Sequence, residues 1–453
     1  MARTDFCLYD DFKKEGENLL ELRKSLKALD DATRSEIVRK KDIALFYLPE
    51  KRYTEKREKT SSGKCRIVES KEYVENTIEN ILSTGNIRAY YLRPSKIWNY
   101  TESGVPYLNT VKVPILDLIK DVRDKEAFLK ELLSNRVFFG YQGEYYFVSE
   151  NFISTFGMRI EMSGNALLEN CLERNIHAAQ RLNNEEEMTL IIRNQEGVDK
   201  VYATLSGKYT YVPQSILMEI IDKFDIKKVL GKVVCKYWEM THTCTRVFLE
   251  FPDKAEELQK SYGITKDLVP GMILEKSDIG ECSITLKGTW RYGKYPVIEK
   301  EIRKKHSGRV DIPEIIDHAQ KEIFDQYTLF PERLCKLMKI NITDPAWKAL
   351  GSRKFRELNR EVIANVVRQV FRQIELVKAV TKKNEKLIYE NLCNEFDLDI
   401  CYTAYDICLS IMTAPERMSG LNPIYMEKLQ KAVGKAPYVE YGSKTTSKII
   451  LTA

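Results

Sequence analysis

Apolar positions divide the chain into a mixed first third, a strand-rich middle and a helical end. Leu19, Leu22, Leu26 and Leu29 recur at steps of three and four, so residues 16–48 begin as an amphipathic helix. Residues 50–66 alternate Lys, Arg and Glu around Thr60-Ser61-Ser62-Gly63 and predict an exposed loop or linker. A helix near 70–83 and a strand at 86–92 follow. The runs Val137-Phe138-Phe139 and Tyr145-Tyr146-Phe147 flank Gly140-Tyr141-Gln142-Gly143, the pattern of a hairpin.

Farther along, Leu168, Cys171, Leu172, Ile176, Ala179 and Leu182 share one face of a helix over 164–182, with Ser163 as its cap. Strands at 188–193 and 200–205 meet across Gln195-Glu196-Gly197, and a helix covers 214–224. More strands read at 231–238, 245–251, 272–276 and 282–290, with Pro270-Gly271 and Asp278-Ile279-Gly280 as turn signals. Strands joined in hairpins predict an antiparallel sheet with helices packed on it, an α+β fold. From 311 the pattern turns helical: Asp311 with Pro313 and Glu314, Thr403 with Asp406, and Asn422-Pro423 before Gly434 mark helix ends. Ile363, Val366, Val367, Val370, Phe371, Ile374 and Val377 form one stripe, predicting a single long helix over 359–392. The expected organisation is an N-terminal α/β region (1–135), a central antiparallel-sheet domain (136–310) and a C-terminal helical region (311–453).

Length and composition sharpen this. At 453 residues, two or three domains are expected, and 43% apolar with 30% charged residues is a folding composition. The N-terminus lacks an apolar signal segment, and Arg368, Arg372 and Glu375 interrupt the most apolar helix, so a protein of the cytoplasm with no membrane span is expected. Ten scattered cysteines read as reduced thiols. The net charge is +6, and between Arg353 and Lys386 ten Lys/Arg face four acids, so the surplus is local.

Catalytic and metal signatures are few. Gly442-Ser443-Lys444-Thr445-Thr446 lacks the spacing and the strand and helix context of a phosphate-binding loop. Cys235, His242 and Cys244 lie close together but lack a second Cys/His pair, and Cys401 with Cys408 reads as core packing; no metal or cofactor is expected. Of His177, His242, His306 and His318, His306 sits in the basic loop Lys304-Lys305-His306-Ser307-Gly308-Arg309, which suits anion contact better than proton transfer. Aromatic and basic residues interleave in two stretches: Arg88, Tyr90, Tyr91, Arg93, Lys96, Trp98 and Tyr100, then Lys287, Trp290, Arg291, Tyr292, Lys294 and Tyr295. On strands such residues present rings and cations together, as base-stacking platforms do.

Residues 140–440 resemble the phage/plasmid-like family labelled domain of unknown function 932. The resemblance rests on Ile191-Ile192-Arg193 followed by Ala203-Thr204-Leu205-Ser206-Gly207-Lys208-Tyr209, and on Val269-Pro270-Gly271-Met272 with Ser277-Asp278-Ile279-Gly280-Glu281-Cys282-Ser283. The His306 loop and the last two helices are also similar, whereas residues 1–135 are not matched. The resemblance implies a mobile-element protein acting inside a bacterial host and carries over no catalytic residue. The expectation is a non-enzymatic protein of DNA replication or recombination that holds DNA, single-stranded or branched, on a basic aromatic surface. Its contact residues would be Arg193, Lys208 and Tyr209, then Trp290, Arg291 and Tyr292, and Lys304, Lys305 and Arg309 in the loop. The alternative is a protein-interaction or host-defence-antagonist role, with the 359–392 helix meeting a partner or a second copy. An enzyme assembled from distant acids is the third option.

Overall fold

A computed structural model describes residues 12–48, 56–59, 65–68, 71–92, 99–100, 102–104, 106–168, 172–195, 197–223, 231–279, 284–304, 311–418 and 420–442. Its strands build two large sheets, with helices against both, and helices follow the second sheet to the end of the described chain. The α+β class with a helical C-terminal region is what the pattern predicts.

The first sheet has eight strands: β2 (Thr33–Arg39), β3 (Ile43–Tyr47), β6 (Asn86–Leu92), β9 (Asn109–Pro114), β10 (Val137–Tyr141), β11 (Glu144–Val148), β12 (Glu187–Gln195) and β13 (Val198–Ser206). Their spatial order is β2-β12-β13-β11-β10-β3-β6-β9, antiparallel except for the β11/β13 pair. The β10–β11 hairpin turns through Gln142 and Gly143, both at positive φ, the twist that tight hairpins require. One face packs on α2 (Lys71–Thr84) and α3 (Lys125–Asn135) through Ile81, Leu129, Phe138 and Phe147. The other packs on α4 (Glu150–Arg159), α5 (Gly164–Leu168) and α6 (Leu172–Leu182) through Phe139, Phe152, Phe156 and Leu190. Residues 169–171, and Cys171 with them, lie outside the described residues.

The second sheet runs β1-β14-β15-β16-β17-β18, fully antiparallel. Its strands are β1 (Lys13–Gly16), β14 (Val234–Thr241), β15 (Thr245–Glu250), β16 (Val269–Lys276), β17 (Ile284–Arg291) and β18 (Pro296–Lys304). Its inner face, with Trp238, Leu274, Leu286 and Trp290, is covered by α1 (Leu19–Ala32), α7 (Ile216–Lys223), α8 (Pro252–Tyr262) and the C-terminal helices. Those are α9 (Ile312–Ala319), α10 (Gln326–Met338), α11 (Ser352–Gln373), α12 (Leu376–Ala379), α13 (Lys382–Glu395) and α14 (Ala404–Met412), while α15 (Pro423–Val433) runs along β18 and reaches the outer face. Two small hairpins, β4 (Lys56–Lys59) with β5 (Cys65–Val68) and β7 (Asn99–Tyr100) with β8 (Pro106–Tyr107), complete the strands, so part of the expected 50–66 linker is paired.

Three expectations are corrected. The boundary at 135/136 runs through one sheet, because β3 pairs with β10 and β2 with β12. Pro270-Gly271 lies inside β16, not in a turn: the Pro270 carbonyl accepts from Phe251, and a Cβ on Gly271 would sit 2.5 Å from the Leu249 carbonyl oxygen. The 359–392 helix is not continuous. Glu375 adopts a left-handed conformation, Thr381 caps α13 through Asn384, and α13 folds back along α11. Arg356 pairs with Asp399, Asn359 bonds the Leu398 and Ile400 carbonyls, and Tyr389 bonds the Ala364 carbonyl, which fixes the two helices antiparallel.

Candidate nucleic-acid interface

Most of the expected contact residues serve the fold. Arg193 is 2% exposed; its guanidinium donates to Asp278 at 2.8 Å and to the His242 carbonyl at 2.8 Å, and lies 4.2 Å above the Tyr202 ring. The Tyr209 hydroxyl donates to the Asp278 carbonyl. Arg193, Tyr209 and Asp278 therefore meet where the two sheets join, as a structural tie. Lys208 beside them is exposed.

Trp290 is fully buried, stacked on Phe330 with centroids 4.3 Å apart, and its N–H donates to Glu299 at 2.7 Å. It is not available to a base. Ile284, Leu286 and Trp290 share the inner face of β17, and that period-two register decides the ring's direction against its polar neighbours. Arg291 is held by Glu250, Tyr292 packs on the core and Lys304 pairs with Glu314 at 2.7 Å. Lys305, His306 and Arg309 lie outside the described residues, as do Arg93, Lys96 and Trp98.

The outer face of the six-stranded sheet, against α15, forms a trough of about 410 Å³. Opposite charges alternate across it: Glu239, Arg246, Glu275, Lys287, Glu427, Lys431, Glu301 and Arg303, each pairing with the next. Burial opposes ionisation of Glu427, but hydrogen bonds from Lys431 and Lys287 outweigh it and bring its carboxyl down to about 2. The network holds α15 to the sheet and leaves no cation of this series without a carboxylate.

A second cleft, of about 680 Å³, opens on the eight-stranded sheet beyond the part covered by α2 and α3. Ala44, Phe46, Tyr91, Gly140 and Tyr145 come to one face of adjacent strands through the registers Phe46↔Tyr91, Gly140↔Ala44 and Gly140↔Tyr145. Phe46 stacks on Tyr91 at 5.4 Å and 28°, and meets Tyr145 edge-on at 5.3 Å. Gly140 makes this possible, since a Cβ there would stand 2.5 Å from the Phe46 ring. Arg39 and Lys41 stand at the mouth, paired with Asp42 and Glu185. Tyr91 belongs to the aromatic stretch picked out in the sequence. Phe46 and Tyr145 escaped that reading, although the aromatics around Gly140 were a usable signal.

The third feature is the exposed side of α11 and α13. Arg353 and Lys354 meet Glu357, Arg356 meets Asp399, Lys378 meets Glu375 and Lys386 meets Glu390. Arg360, Arg372, Lys382 and Lys383 are exposed and have no carboxylate partner among the described residues, and Arg368 lies over the Tyr389 ring. Lys382 and Lys383 occupy the first turn of α13, where the helix already presents partial positive charge. The antiparallel pairing brings Arg372 to that same end.

Catalytic chemistry finds little to build on. Among the described residues no three His, Cys, Asp or Glu side chains gather as metal ligands. Burial pushes the Cys235 thiol up to about 11 and Cys408 to about 12, which makes both poor nucleophiles. His177 and His318 are exposed on helices. Among the described residues no helix is long and apolar enough to cross a membrane. No family model, curated protein or solved structure matches the chain.

Proposed function

We propose that this is a non-enzymatic nucleic-acid-binding protein of a phage, prophage or plasmid that holds DNA along α11 and α13 during replication or recombination. The observation that carries the reading is the group of exposed cations Arg360, Arg372, Lys382 and Lys383, which meet no carboxylate among the described residues, while most cations of the sheet trough are paired and only Lys236 and Lys294 of its lining are not. Along α11, Arg360, Arg368 and Arg372 span about 18 Å at 1.5 Å per residue, enough to meet several phosphates of one strand. The mobile-element origin rests on the family resemblance of residues 140–440.

Binding isotherms at two salt concentrations test it. With about four phosphates neutralised, affinity should fall roughly a hundredfold between 50 and 200 mM salt. Replacing Arg360, Arg372, Lys382 and Lys383 by Gln should remove most of that slope while the protein stays folded. A parent that does not associate with DNA at 50 mM salt overturns the proposal.

A partner-protein reading has its own support. Val377, Leu387 and Ile400 are each more than two fifths exposed on this same helical region. If it holds, Leu387→Glu should abolish self-association or partner capture by the purified protein, seen by light scattering, without changing its melting.

A further inference from the structure

We infer that the aromatic cleft of the eight-stranded sheet takes up unstacked bases of a single strand, an inference that rests on the nucleic-acid reading above and adds strandedness and a base site to it. Phe46 alone has a sufficient structural role, since its ring covers the bare backbone of Gly140. That role does not explain the open space beside it. Tyr91 and Tyr145 flank Phe46, both half-buried, and the cleft of about 680 Å³ has the size of a site for a mid-sized organic group. A planar ring entering there meets one π-face and one edge, the two arrangements aromatic rings favour.

Charge at the mouth separates a base from a phosphate. Arg39 and Lys41 are balanced by Asp42 and Glu185, and Glu144 adds one more carboxylate to the lining, so the cleft offers rings and no surplus of positive charge. Its occupant is chosen for its aromatic plane, with phosphate contacts made elsewhere. Bases stacked in a duplex cannot present that plane, so a single strand is the form that fits.

The test compares a labelled oligothymidine with a duplex of equal length, in anisotropy titrations at two salt concentrations. Tyr91→Ala and Tyr145→Ala should each weaken single-strand binding about ten- to a hundredfold, leave the duplex within about twofold and keep the salt slope unchanged. Tyr91→Phe should restore parental affinity. As a check free of mutation, an iodouridine-substituted oligonucleotide crosslinked to the parent protein should label Tyr91, Tyr141 or Tyr145. Salt-sensitive binding that survives both alanine variants, with crosslinks confined to residues 352–395, overturns the cleft and leaves the proposed function standing. A parent that binds neither DNA overturns both.

Discussion

Replacing Arg193 by Met would break the tie between the two sheets. Arg193 is 2% exposed and Asp278 is fully buried, with one 2.8 Å bond between them. The second Asp278 carboxylate oxygen already lacks a partner, so the substitution would strand a whole carboxylate away from water. Removing one member of a buried pair costs about 3–5 kcal/mol, and the lost bond to the His242 carbonyl lies within that figure. Methionine keeps some packing on Tyr202, so the expected loss is near the lower end. Urea unfolding followed by tryptophan fluorescence measures it, with Trp238 and Trp290 reporting from the core of the six-stranded sheet. Arg193→Met combined with Asp278→Leu should recover most of the loss, because an apolar pair of similar volume needs no compensation. A coupling of at least about 2 kcal/mol should emerge from the cycle. If the single variant unfolds within about 1 kcal/mol of the parent, or the double variant is no better than the single one, the pair is not the joint described above.

Other outcomes are as specific. Val370→Asp should destabilise by several kcal/mol, since Val370 is fully buried, whereas Val377→Asp, at a position 44% exposed, should change stability by about 0.5 kcal/mol or less; denaturation midpoints compare them. Burial raises Glu299 to about 8 against the hydrogen bond from Trp290 and the charge of Lys300, so the folded state holds a proton the unfolded state releases. Stability then declines as pH rises from about 4.5 towards 8, and Glu299→Gln should remove that decline, gaining on the parent by about 1–3 kcal/mol at pH 8. Glu427 behaves oppositely: its depressed carboxyl contributes stability above about 4.5 that is lost as pH falls towards 2. Acid titration of Glu427→Gln should show a smaller loss across that window.

Local patterns foretold the local structure. The hairpin around Gly140, the antiparallel run from 231 to 290 and the helix starts at 311, 403 and 422 follow from period, turn residues and caps, each set by a few neighbours, whereas the strand Pro296–Lys304 does not. What stayed hidden depends on partners far along the chain. Nothing near Thr33–Arg39 announces that this segment pairs with Glu187–Gln195. The stripe from Ile363 to Val377 suits one helix as well as two, and the reversal at Glu375 is settled by what α13 packs against. The same holds at the site. Tyr91 was visible as an aromatic among cations, but its meeting with Phe46 and Tyr145 needs three strand pairings. Trp290 was drawn to the surface by its charged neighbours, when its parity with Leu286 pointed inward.

The segment Lys13–Arg39 has a further consequence through where it runs. Its β1 borders β14 at the margin of one sheet, its β2 borders β12 at the margin of the other, and α1 carries the chain between them. β1 pairs with four of the eight residues of β14 and β2 with seven of the nine of β12, and without them those residues would present a bare row of amide and carbonyl groups. Such a row is a template for another copy's strand. One short stretch of chain thus guards two margins at once, and a molecule cut after Arg39 would be open to strand exchange and fibrous self-assembly from both sheets.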